Sequence, residues 1–221
     1  MTQPRNHTIA VSGLAAGLGP LVGNGIYSGA DSDDGEAILK EFQDGLPGAG
    51  YISFPLELLG FAALAVFVAC LVVRLYAVAP VAAVTTGVAG ATMLAVKVGS
   101  AAPWMYVIAN ADDLDPATAE VLIGLNDMAF IVSGFLLSLA FTAAGIGLLK
   151  TDTSRFLAWW PVLIGALGIV AGIVGTANPD AYLPVPFLLL LVWMVAVGIA
   201  AAMRPGPNGS NSRLVDVAAT E

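Results

Sequence analysis

Six stretches of about twenty apolar residues, separated by charges and by Pro and Gly, constrain this chain more than any other feature. A helix of roughly 20 residues spans the ~30 Å hydrocarbon core of a bilayer, and in lipid each backbone N–H and C=O must be satisfied within the segment. The windows fall at residues 8–28, 51–73, 80–100, 120–149, 156–177 and 182–203, the third with an extension through Pro103 and Trp104 to Asn110. They predict an all-α fold, a polytopic transmembrane helix bundle of six spans filling residues 1–204. Of the 221 residues 58% are hydrophobic and only 11% charged, where soluble domains carry about a quarter charged. One water-soluble core cannot hide that much apolar surface, so the bilayer is the expected solvent.

The net charge of −8 is unevenly placed. The connection at residues 29–50 holds Asp31, Asp33, Asp34, Glu36, Glu41 and Asp44, and a second connection holds Asp112, Asp113 and Asp115. Of the eight Lys and Arg, Arg5, Arg74, Lys150, Arg155, Arg204 and Arg213 fall at the other ends of the spans, and Lys40 alone shares the acidic side. Short cytoplasmic loops retain Lys and Arg, so both termini are expected in the cytoplasm and the acidic loops outside. Basic residues scattered singly make no patch for a phosphate backbone, which excludes nucleic acid as a partner.

In the acidic connection Ile38, Leu39 and Phe42 recur at helical spacing, with Asp33 or Asp34 placed to cap a short helix lying on the outer leaflet. Gly45, Pro47, Gly48 and Gly50 end it. Residues 205–221 read as a disordered cytoplasmic tail. The first apolar segment has two readings. Ser28, Gly29 and Ala30 resemble a signal-peptide cleavage site, yet the run before them is long for a signal. Gly13 with Gly17 and Gly19 with Gly23 make small-xxx-small faces suited to helix packing, as do Gly168 and Gly172. A retained first span is the expectation, and these Gly-rich faces also offer a route to a homo-oligomer.

Most enzyme chemistry finds no foothold. The single cysteine, Cys70, lies in an apolar run, and the single histidine, His7, precedes the first one. That excludes histidine-ligated haem in the bundle and argues against a zinc site or any other metal. The run Asp31 to Glu36 misses the calcium-loop spacing, and no Gly-x-Ser-x-Gly, phosphate loop or His-Glu-x-x-His is present.

What remains is three ionisable residues inside predicted spans: Glu57 in the second, Lys97 in the third and Asp127 in the fourth. Charges at membrane depth are costly and face the bundle or a water-filled cavity. At about 1.5 Å per residue, Glu57 lies roughly 9 Å and Asp127 roughly 10 Å below the outer ends of their spans, with Lys97 near the outer end of its own. Similar depth on three consecutive helices predicts a polar cluster, with Asn126 as a fourth member and Ser53, Trp104, Tyr106 and Ser133 around it. Trp104 and Tyr106 also fit membrane-boundary aromatics, as do Trp159, Trp160 and Trp193.

Two readings of the cluster stand side by side: a site for a proton, an ion or a polar or lipidic small molecule, and a buried ion pair that fixes helix register. A lone lysine between carboxylates fits a retinal Schiff base in outline, but six spans and few aromatics argue against it, and no cofactor is expected. The leading functional reading is a non-enzymatic membrane protein, transporter-like or accessory, with a polar pocket in the outer half. Pro20 and Pro103 would supply helix breaks, although the two halves show no residue-level repeat. One alternative is an intramembrane enzyme acting on a lipid or isoprenoid substrate, with Glu57 or Asp127 as base and Lys97 as electrophilic stabiliser. The other is a structural or signalling partner without a pocket.

Gly124-Leu125-Asn126-Asp127-Met128-Ala129-Phe130 opening the fourth span, Gly145 to Lys150 closing it, Phe156-Leu157-Ala158-Trp159-Trp160 and Leu190-Leu191-Val192-Trp193 also form a pattern. On these residues the chain from Glu120 onward resembles an uncharacterised, domain-of-unknown-function family of bacterial, mainly actinobacterial, six-pass integral membrane proteins. The resemblance implies a six-helix fold and a bacterial cytoplasmic membrane, and it implies no activity.

Overall fold

The structure is a computed structural model that describes residues 6–29 and 34–203. The expected tail at 205–221 lies outside the described residues, as do Arg5, Asp31, Asp33, Arg204 and Arg213. The helices in chain order are α1 (Asn6–Ile26), α2 (Gly35–Phe42), α3 (Gly50–Tyr76), α4 (Pro80–Gly99), α5 (Ala101–Ala109), α6 (Pro116–Leu148), α7 (Arg155–Ala177) and α8 (Val185–Ala202). A single 3-10 turn, Pro179–Ala181, precedes α8, and no strand occurs among the described residues. Six segments are long and apolar enough to cross a membrane: α1, α3, α4 together with α5, α6, α7 and α8. The chain is a multi-pass membrane protein with an all-helical fold.

The six segments close into a ring in the order α1, α3, α4, α6, α7, α8 and back to α1. Aromatic rings fill its interior. Phe67 of α3, Phe141 of α6 and Trp193 of α8 stand with centroids 6.3, 6.0 and 5.1 Å apart, within the range where edge-to-face attraction adds to burial. Trp193 is fully buried, and its Nε1 donates to the Leu157 carbonyl at 2.7 Å. It is therefore a core anchor and not a boundary aromatic, correcting the expectation from sequence. A helix apolar on every side, as α8 is, gives no periodic signal of which side faces in.

Close helix contact explains the glycine pattern. A Cβ on Gly17 would stand 2.5 Å from the Leu191 carbonyl oxygen of α8, and one on Gly172 would stand 2.6 Å from the Phe135 Cβ of α6. Gly19 and Gly23 meet α3 in the same way. These small-residue faces are occupied within the chain, where they let backbones approach and gain dispersion contacts that lipid cannot match.

Two features move polar groups to one end. The ring of Pro103 carries no N–H to donate to the Gly99 carbonyl, and the third span breaks there into α4 and α5. Ser100 sits at the break, its Oγ donating to the Lys97 carbonyl at 2.8 Å. The 33 residues of α6 rise to about 50 Å, well beyond the ~30 Å of hydrocarbon. Its first turns are capped by Asp115, which accepts from the Thr118 N–H at 3.0 Å and from Thr118 Oγ1 at 2.6 Å. That cap starts the helix four residues before the apolar window, where propensity and capping rather than hydropathy decide.

α2 packs on this projecting part of α6 and on α5. Its Ile38, Leu39 and Phe42 join Trp104, Val107, Ala119 and Ile123 in a second apolar cluster. The expectation of a helix lying on the outer leaflet is thereby corrected: the apolar face is buried against protein. Asp34 caps α2 by accepting from the Glu36 N–H at 3.0 Å, and the Gly35 N–H donates to Glu120 Oε1 at 3.0 Å.

Candidate binding cavity at the acidic end

Beneath α2 the ring is not filled. A cavity of about 140 Å³ lies between α1, α3, the α4–α5 break and α6. Glu57 and Ser53 come from α3, Lys97 from α4, Trp104 from α5, Asn126 from α6 and Asn24 from α1, with Tyr27 just beyond it. Three of the four cluster residues expected from sequence, Glu57, Lys97 and Asn126, line the same space. Asp127 is exposed and does not line it, although its charge reaches Lys97. Asp127 projects about 100° further round α6 than Asn126, and here that turns it out of the cavity lining.

Each polar side chain has a local reason to be there. Gly23 leaves room on α1: a Cβ there would stand 2.6 Å from Glu57 Cγ. Ser53, 1% exposed, donates to the Gly23 carbonyl at 2.8 Å and also lies 3.3 Å from Glu57 Oε1. The Asn24 amide donates to the Pro20 carbonyl at 2.9 Å, which occupies one donor and leaves its oxygen for the cavity. Pro20 sits inside an unbroken α1, so the helix break expected there is absent, whereas Pro103 does accompany one.

Lys97 is held from several sides. Its Nζ stands 5.2 Å from the Phe130 ring centroid, a cation–π distance. Phe130 is backed in turn by Tyr182 and Phe187, at 5.9 and 5.2 Å. Glu57 and, less strongly, Asp127 act on the ammonium through space. The cavity therefore carries one cation and one anion on different helices, with amide and hydroxyl groups between them.

No family model matches the chain, and neither a curated protein nor a solved structure is detectably similar to it. The family likeness from Glu120 onward thus rests on its short motifs alone, beside a fold of six helices long and apolar enough to span a membrane.

The other expected neighbours behave differently. Trp104, 7% exposed, is no boundary aromatic: it packs on Phe54 at 4.4 Å and Phe42 at 5.5 Å and forms part of the cavity wall. Tyr106 is exposed, and Ser133 is buried with an Oγ that has no hydrogen-bond partner among the described residues. Sequence reasoning missed Asn24 and Tyr27. The available signal was a lone amide in a Gly-rich span at the depth of Glu57. Tyr27 Oη donates to Glu41 Oε1 of α2 at 2.6 Å, and burial first, then that carboxylate, pushes its phenol above the usual range. Among the described residues no three His, Cys, Asp or Glu side chains converge on a metal-sized site.

Proposed function

We propose that this chain is a membrane protein of the bacterial cytoplasmic membrane that binds a small polar molecule in the acidic-end cavity. In this reading both termini are cytoplasmic and the cavity lies in the outer half of the bilayer. The observation that carries it is the shared lining of one cavity by Glu57 and Lys97. Two side chains serving only as a structural ion pair would be packed against each other and dry, whereas these border a space that a molecule of about benzene size would fill.

A transporter-like or accessory role is the reading we favour, because the cavity sets one carboxylate and one ammonium on different helices around a space of small-molecule size. One feature favours the enzyme alternative. Leu58 and Val98, 63% and 51% exposed, belong to the lining and give the cavity a wall toward lipid. A substrate with an apolar tail could be served through it, with Glu57 as the carboxylate in place. Asp127, outside the cavity, is not proposed for that role.

The test is accessibility. In a Cys70→Ala background, Asn126→Cys is treated in sealed vesicles with a membrane-impermeant thiosulfonate. Fast labelling from the acidic side, slowed by a bound polar solute, is expected. Labelling that occurs only after denaturation would remove the cavity as a site.

A further inference from the structure

The geometry points to a zwitterion as the ligand: a molecule carrying an anionic group for Lys97 and a cationic group for Glu57, joined by a short linker. This inference rests on the cavity being a binding site. A single cation and a single anion line the cavity from two helices, α4 and α3. A purely anionic guest would satisfy Lys97 but face the Glu57 carboxylate, and a purely cationic guest would meet the reverse problem. Taking either charge from water without a partner is costly, so a half-matched guest loses what the matched end gains. A guest with both charges offers each side chain an opposite charge and sets neither against a like one.

The rest of the wall agrees. Trp104 and Phe54 pack with centroids 4.4 Å apart and planes tilted by 38°, and supply π surface at which an ammonium is welcome. The volume of about 140 Å³ admits roughly six non-hydrogen atoms, the size of a small amino acid. The same chemistry is carried by the headgroup of a phospholipid such as phosphatidylethanolamine, and the exposed Leu58 and Val98 would let its tails remain in the bilayer. The shared recognition is ammonium plus anion; the source is decided by experiment.

Purified full-length protein is unfolded thermally in a neutral detergent with L-alanine, L-lactate or isopropylamine, which differ in having both charges, the anion alone or the cation alone. In parallel it is unfolded in nanodiscs of phosphatidylethanolamine or phosphatidylglycerol. Wild type is expected to bind alanine at least about tenfold more tightly than either singly charged probe, the size of one charge-assisted contact, or to be stabilised selectively by phosphatidylethanolamine. The first outcome identifies a free solute and the second a lipid headgroup. Glu57→Gln, which keeps the Ser53 contact and the side-chain shape, should erase the advantage of alanine over lactate or of one lipid over the other. The ordering of the three probes on wild type needs no variant, so a misfolded substitution does not rescue the idea. If alanine is favoured over neither probe and the two lipids are indistinguishable apart from a difference that Glu57→Gln retains, the zwitterion is overturned. Labelling at Asn126→Cys reads the cavity independently, so the ligand class can fail while the site stands.

Discussion

Lys97 faces groups on two neighbouring helices, α3 and α6, and its removal should be felt through the partner it leaves behind. Lys97→Met strips Glu57 of its compensating charge and leaves the Ser53 hydroxyl beside it. A loss of about 1–3 kcal/mol is expected for such a half-buried carboxylate, measured as a lower midpoint of thermal unfolding in detergent. Adding Glu57→Gln should recover at least half of that loss, because no charge is then left unmatched. Additive losses in the double variant would show that the two residues are not coupled. Tyr27 offers a second test through pH. Its phenol has an ordinary value of 10.0 and is raised in the folded protein by burial and by Glu41. A raised folded value gives stability that is complete below pH 10 and is lost as pH climbs through the folded value. Tyr27→Phe should cost about 1 kcal/mol near neutrality and flatten that alkaline loss. Tyr182, also raised by burial, titrates in both proteins and cancels in the difference. An unchanged alkaline slope would separate Tyr27 from the effect. Much of this site was legible at the residue level, since Glu57, Lys97 and Asn126 could be placed at one depth by counting helical rise. Azimuth was not legible. Depth depends only on position along a helix, whereas the side a residue faces depends on which neighbours the helix chooses, and spans that are apolar all round record no preference. Depth alone therefore places Asp127 beside Asn126, although of the two only Asn126 lines the cavity.

Among the elements, α2 links the polar site to the rest of the acidic end. Its spacing and cap were readable because an amphipathic helix of eight residues carries its period in Ile38, Leu39 and Phe42 and its start in Asp34. What covers the apolar face was not readable. Lipid and a projecting turn of α6 make the same demand on an apolar stripe, and only the length of α6 beyond the hydrocarbon settles in favour of protein. Phe42, 1% exposed and 5.5 Å from the Trp104 ring, is the anchor of that contact. Phe42→Ala should cost about 3 kcal/mol, localised as faster amide exchange in α2 with α7 and α8 unaffected. Trp104 emission should shift to the red as water reaches its ring. Equal loss of protection throughout the ring would mean that α2 is integral to global folding and not a separable cap. The direction for the neighbouring α6 cap follows from its charge. Asp115 is lowered by its hydrogen bonds from Thr118, so its contribution is present above the ordinary carboxylate value and is lost as pH falls through the folded one. Below that range the first turn of α6, and with it the platform for α2, should fray.

At the scale of the whole molecule, six spans were legible because the bilayer imposes one length and one polarity on each of them, and neither depends on tertiary contacts. The closed ring order was not, because loops of a few residues permit several neighbours. The first span shows what the ring adds: α1 lies between α3 and α8, with glycines against both. A chain without it would expose those faces to each other across a gap a helix wide, so removal of residues 1–29 should abolish assembly of the remaining spans. Orientation is a separate matter that the helix packing does not decide, since a ring is equally stable either way up. The proposed orientation rests on the charges. Among described residues the loops beside α2 and between α5 and α6 carry Asp34, Glu36, Glu41, Asp44, Asp112, Asp113 and Asp115, while Arg74, Lys150 and Arg155 mark the other end. Basic residues in short loops stay in the cytoplasm during insertion, and the proposal of an outward-facing cavity rests on that rule. In a Cys70→Ala background, Asp113→Cys should label with an impermeant thiol reagent in intact cells and Lys150→Cys only after the membrane is opened. Labelling of Lys150→Cys in intact cells would invert the molecule and place the Glu57 and Lys97 cavity on the cytoplasmic side, where its ligands would be sought among the solutes of the cell interior.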